Sequence, residues 1–153
     1  MTETELVITR IFDAPREMVY RAFVDPDQLA QWFAPAGWSV PRDTVTIDAR
    51  AGGLQEFTMV NDDDPSMTSP VHATFTEVIE NELLVAEEPE TFMPEFKDKG
   101  MHVRIEFHDE EGGRTRLVLR QGPYTTEMET NARAGWTSSF LKLDALLAAS
   151  TSR

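Results

Sequence analysis

Between residues 43 and 121 apolar and polar side chains alternate, and after residue 121 the repeat changes to that of a single long helix. This switch constrains the fold more than any other feature. The stretches TVTID (44–48), LQEFTMV (54–60), VHATFTEVIE (71–80), ELLVAEE (82–88), MHVRIEFHD (101–109) and RTRLVLRQ (114–121) read as strands. Gly52-Gly53, Glu80-Asn81 and Glu110-Glu111-Gly112-Gly113 read as hairpin turns, where glycine and asparagine tolerate the backbone angles a tight turn needs. The proline-free segment that follows carries Ala132, Trp136, Phe140, Leu143 and Leu147 on one stripe, which predicts a helix over about 125–149 started by Thr125 or Thr126. Glu127, Arg133, Lys142 and Asp144 lie opposite. Gly135 costs this helix about 1 kcal/mol relative to alanine, so something is expected to pack close to the backbone beside Trp136.

The N-terminal part adds one strand and two short helices. ELVITRIF (5–12) is rich in β-branched residues. Pro15 opens a helix over 15–24 with Met18, Val19, Ala22 and Phe23 on one face. Asp25-Pro26-Asp27-Gln28 repeats the start signal, an acidic cap followed by a first-turn proline and a glutamine at the capping-box position. Leu29, Trp32 and Phe33 share a face of this second helix, and Pro35 ends it. The order is therefore β-α-α-β6-α. A twisted antiparallel sheet of about seven strands curls, and the C-terminal helix is the only element long enough to cover its apolar face. The expected fold is α+β, a sheet wrapped around a helix, in one domain spanning residues 1–153.

The same residues resemble a known family. R-x-F-D-A-P-x-x-x-V-x-x-A-F-x-D-P-x-x-L-x-x-W-F, from Arg10, is similar to the opening of the activators of heat-shock-protein ATPase homologues, a branch of the START-like (birch-allergen-like, SRPBCC) superfamily. The likeness continues through Pro35, Gly37, the segment D-A-R-A-G-G at 48–53 and A-G-W at 134–136 into Leu143 and Leu147. It implies the helix-grip fold reached above from periodicity. It implies less about activity, because the superfamily hosts ligand carriers, cyclases and hydroxylase subunits.

Charge and composition narrow the partners. Asp and Glu number 27 against 14 Lys and Arg, a net charge of −13 that repels nucleic-acid phosphates and anionic lipid surfaces. No nucleic-acid partner and no membrane insertion are expected, since no apolar run approaches the ~18 residues of a span. The acidic N-terminus does not read as a signal peptide, which points to a cytoplasmic protein. With no cysteine there is no thiolate nucleophile, disulfide or cysteine-ligated metal or cluster.

A helix-grip fold commonly holds a cavity between sheet and helix, and an apolar cavity with a few polar groups is the default ligand site. The candidate lining is Trp32, Trp38, Phe57, Met59, Phe75, Phe92, Met93, Phe96, Met101, Trp136 and Phe140. Trp32 and Phe33, on a helical face, read as core at the closed end; Trp38, after the break at Pro35 and Gly37, reads as rim. Trp136 reads as packed core. NDDDPSMTSP (61–70) reads as a polar surface loop. Phe92, Met93 and Phe96, in the segment 89–100, read as a lid over the mouth, through which an apolar probe such as a naphthalene sulfonate is expected to enter.

Catalytic patterns do not emerge. His72, His102 and His108 fall on the polar face of their strands and show no metal-ligand spacing. Asp62-Asp63-Asp64 lacks the alternation of a calcium loop. Ser138 and Ser139 lie mid-helix outside any nucleophile motif. Tyr20, Arg21, Arg50, Glu56, Arg120 and Tyr124 read as surface or structural, with Arg120 and Tyr124 placed where a ligand's acid group could be met. No metal or cofactor is implied. The expected function is a non-catalytic binding protein, monomer or homodimer, for a small apolar or amphipathic molecule. The alternative is an interaction module for a chaperone, and the family's full co-chaperone carries a further N-terminal domain that this sequence does not show. A START-like enzyme ranks third.

Overall fold

The protein is described by a computed structural model covering residues 4–88 and 101–151. It begins with β1 (Thr4–Phe12), α1 (Arg16–Val24) and α2 (Pro26–Trp32). Short strands β2 (Trp38–Ser39) and β3 (Thr46–Ile47) follow, separated by a 3₁₀ turn at Arg42–Thr44. The long strands are β4 (Leu54–Asn61), β5 (Thr68–Ile79), β6 (Leu83–Glu88), β7 (Met101–Glu110) and β8 (Arg114–Tyr124). Helix α3 (Thr126–Thr151) is the last described element.

All pairings are antiparallel, in the order β1-β8-β7-β6-β5-β4-β2, with β3 also on β4. This is the helix-grip α+β fold. All seven expected strands are present, the one expected at 44–48 shortened to β3 and off the main path, and β2 makes an eighth; two differences stand out. The segment 61–70 is shorter as a loop than its polarity suggests, because Thr68, Ser69 and Pro70 already pair with Val60, Met59 and Thr58. Trp38 and Ser39 pair with Asn61 and Val60, a two-residue strand too short for any period to reveal.

The turns and caps follow local chemistry. Asn81, Gly52, Gly112 and Gly113 take positive φ at the tight connections. The Asp25 carboxylate accepts from the Asp27 N–H and the Gln28 amide, and Thr125 Oγ1 accepts from the Met128 N–H to start α3. Pro26 has no N–H for the Ala22 carbonyl four residues earlier. The buried Trp32 Nε1–H donates to that oxygen instead, at 2.8 Å, which locks α2 across the end of α1.

One end of the grip is solid. Phe12 and Phe140 meet edge to face at 5.3 Å, Phe23 and Phe107 at 5.4 Å, and Phe23 and Trp32 at 4.8 Å. Leu117, Leu143 and Val19 are fully buried among them. α3 also covers the outer edge of β1, where Arg133 donates to the Val7 carbonyl at 3.0 Å and Arg10 pairs with Asp144. Along α3 the C-terminal half, with Phe140, Leu143 and Leu147, is buried, whereas Met128, Ala132 and Trp136 are only half-buried. The helix sits on packed core at one end and over open space at the other.

Candidate ligand-binding cavity

The open space is a cavity of about 620 Å³ between α3 and the inner face of β4–β8. Its cause is the size of the inward residues. Toward the closed end the sheet presents Phe107, Leu117 and Leu119; toward the mouth it presents Ala73 and Ala86, and α3 presents Ala132 and Gly135. A Cβ built on Gly135 meets nothing within 4 Å, so this glycine faces open space rather than the close neighbour expected from the sequence.

Phe33, Trp38, Phe57 and Trp136 form an aromatic wall, with Phe33 4.7 Å from Phe57 and 5.3 Å from Trp136 between ring centroids. The loop bearing Phe33, Pro35 and Trp38 is clasped to α3. Ser139 Oγ accepts from the Ala34 N–H at 3.2 Å, Ser138 Oγ from the Ala36 N–H at 2.7 Å, and Lys142 Nζ donates to the Pro35 and Trp38 carbonyls. This clasp holds Ala34 at φ 139, a conformation that L-residues rarely adopt. The two serines without a nucleophile's partners therefore have a structural task.

A polar group stands at the wall of β8. Gln121 Oε1 accepts from both the Trp136 indole N–H and the Tyr124 hydroxyl, each at 2.8 Å. An indole N–H can only donate, so the amide orientation is set chemically, with the oxygen toward these two donors. Glu88 joins the same wall from the end of β6. Burial raises its carboxyl above the usual range, opposed by the His72 backbone N–H and imidazole. The Tyr124 hydroxyl is also pushed up, first by burial and then by the nearby Glu88 charge. Gln55, Ser69, His102, Asn131 and Ser139 complete the polar lining among the described residues.

Of the residues singled out in the sequence, Trp38, Phe57, Met59, Met101 and Trp136 line the cavity. Trp32, Phe75 and Phe140 are instead fully buried core, Trp32 because its indole closes α1 and Phe140 because it packs on Phe12. Phe33, expected in the core, lies on the wall because α2 ends at Trp32 and turns it toward Phe57. Trp136, expected as packed core, is a half-buried wall residue. Phe92, Met93 and Phe96 lie outside the described residues. Tyr124 does reach the cavity, while Arg120 turns outward to Glu5 at 3.5 Å, away from any ligand's acid group. Gln121 and Glu88 escaped notice, although the parity of Leu117-Leu119-Gln121 and Leu84-Ala86-Glu88 places each on the inner face.

The three histidines each meet a glutamate: His72 contacts Glu56 at 3.0 Å, His108 contacts Glu106 at 2.9 Å, and His102, which also borders the cavity, contacts Glu5 at 3.6 Å. Hydrogen bonds from His108 and Arg104 hold the Glu106 carboxyl below its usual range. Among the described residues no three His, Asp or Glu side chains gather as a metal site, and no helix is long and apolar enough to cross a membrane.

Residues 13–148 match the family described as activator of Hsp90 ATPase homolog 1-like protein. No curated protein matches the chain. Among solved structures, the chain is similar to the AHSA1 protein from Silicibacter pomeroyi, with 27% identity, TM-score 0.77 and coverage of 96% of this chain and 99% of that one. A Nitrosomonas europaea protein shares the fold at 23% identity and TM-score 0.81, covering 97% of both chains. A Chromobacterium violaceum protein does so at 24% identity and TM-score 0.78, covering 94% and 96%.

Proposed function

The chain belongs to the activator of Hsp90 ATPase homolog 1-like family, and from that premise we propose that it is a non-catalytic binding protein for a small apolar or amphipathic molecule. The observation that carries this reading is the aromatic-walled cavity of about 620 Å³ with its polar group gathered on Gln121. Pockets of this size and mixed lining suit a drug-sized ligand whose body is apolar and whose orientation is fixed by a few hydrogen bonds. The Gln121 oxygen is already shared by two donors, so the residue offers its N–H groups to a ligand. Among the described residues the polar groups of the lining form no nucleophile–base pair, which favours carriage over chemistry.

The test is binding of a neutral dye, Nile red. A sulfonate probe would bring its charge toward Glu88 and is a poorer choice. One dye per chain is expected for the wild type, with loss of binding in Gly135→Phe, whose ring enters the cavity. Native mass spectrometry of protein purified from its own host is expected to show a retained small molecule. Absence of dye binding would remove the reading. The family description supports a second one, a co-chaperone-like interaction module. Its signature would be a concentration-dependent rise in a chaperone's ATPase rate, unchanged by Gly135→Phe.

A further inference from the structure

Glu88 is the only carboxylate on the described wall of the cavity, and no described wall residue is a lysine or arginine. The strand register explains its position. Glu88 pairs with Met101, and Val103 pairs with both Ala86 and Gln121, so Glu88 lies one inward step toward the mouth from the Gln121 row. An acid at this inward position gives up hydration that the outward Glu87 keeps. A carboxylate held there is matched by a cation brought in with the ligand.

Resting on the carrier reading above, we infer that the molecule carried is an apolar body bearing a protonated amine, with the ammonium held by Glu88. Three further features fit that chemistry. Ammonium groups are attracted to aromatic faces, and Trp38, Trp136, Phe33, Phe57 and Tyr124 supply them around the same space. The net charge of −13 draws cations toward the protein and repels anions such as fatty acids. Gln121 meets a neutral acceptor through its N–H groups, a weaker contact than the charge repulsion an anion would meet at Glu88. Among the described residues the titratable groups around Glu88 are Tyr124 on β8 and His72 on β5, and His102 on β7 borders the same cavity with its ring 3.6 Å from Glu5.

The experiment displaces Nile red from the full chain with decylamine, decanol and decanoate, each below its aggregation threshold, at pH 8. Decylamine is expected to compete at about tenfold lower concentration than decanol, the scale of one charge-assisted contact in a desolvated site. Decanoate is expected to be weakest. In Glu88→Gln the ratio of the decanol to the decylamine competing concentration is expected to collapse toward one. A preference that survives Glu88→Gln would belong to the acidic surface, which that variant barely alters, and would overturn the inference. Equal competition by amine and alcohol in the wild type would overturn it while leaving the carrier reading intact. Failure of Nile red to bind would overturn both. A measurement on the wild type alone guards against a variant that does not fold. Lowering the pH toward the Glu88 range is expected to erode the amine's advantage while decanol stays constant, and an advantage unchanged down to pH 4 would also overturn the assignment.

Discussion

The Trp136 indole N–H and the Gln121 amide oxygen meet at 2.8 Å, and this bond joins α3 to β8 inside the cavity. It stands where the helix has left the packed core, so the two residues define how far α3 lifts from the sheet. Four residues on, Phe140 sits fully buried against Phe12. One helix thus carries an aromatic that fills the core and another that walls a space.

These two positions are expected to respond differently to truncation. Phe140→Ala removes a fully packed ring and should cost about 3–5 kcal/mol. Trp136→Ala, half-buried and facing the cavity, should cost roughly half as much because less contact is lost. Denaturant unfolding measures both. The binding readout reverses the order: Trp136→Ala should weaken Nile red more than Phe140→Ala does, in whatever fraction of each variant remains folded. Equal unfolding costs would show Trp136 to be packed core after all.

Two glycines offer an opposed pair. A Cβ on Gly135 meets open space inside a helix, so Gly135→Ala should stabilise by up to about 1 kcal/mol through helix propensity. A Cβ on Gly53 would lie 2.0 Å from the Asp48 carbonyl oxygen. Gly53→Ala should therefore destabilise by about 2 kcal/mol or more, since backbone must shift at the β4 entry. Thermal unfolding of the two variants should move in opposite directions. A destabilised Gly135→Ala would mean that the helix needs the glycine for a reason other than space.

The meander and the long helix were legible because strand and helix periods are local properties of the chain. Trp32, by contrast, was half-read. Its helical face marked it as core, but its bond to Ala22 depends on Pro26 removing a donor, which only the fold of α1 against α2 completes. The cavity was less legible still. Its existence follows from Ala73, Ala86 and Gly135 meeting across the grip, three small residues far apart in sequence. Glu88 and Gln121 are polar residues in otherwise apolar inward series, and reading only the apolar members of a parity passes over them.

The clasp between α3 and the loop after α2 is open to test. Ser139→Ala leaves the buried Ala34 N–H without its acceptor and should cost about 1–3 kcal/mol. Ser138→Ala removes a more exposed bond to Ala36 and should cost under about 1 kcal/mol. Because the clasp aims Phe33 and Trp38, Ser139→Ala should also weaken Nile red binding. A variant of full stability and unchanged binding would remove the clasp from the account of the site.

Glu88 also makes stability depend on pH. Burial raises the Glu88 carboxyl, so the native chain holds this proton more firmly than the unfolded chain does. Between the unfolded value and the raised native value the native state binds more protons, and unfolding stability falls as pH rises through that window. Above it the ionised carboxylate contributes a constant penalty; below the unfolded value it contributes nothing. Glu106, lowered by His108 and Arg104, acts in the opposite sense, losing its contribution as pH falls. The Glu88 share is isolated by subtracting Glu88→Gln from the wild type at each pH. The variant should be the more stable near pH 8, and the difference should shrink toward pH 4. A difference independent of pH would show that the Glu88 proton is bound equally in the two states. An amine in the cavity should cancel the penalty, since its charge restores what burial removed. Adding decylamine should therefore raise the wild-type melting temperature more at pH 8 than at pH 5, and leave Glu88→Gln without that trend.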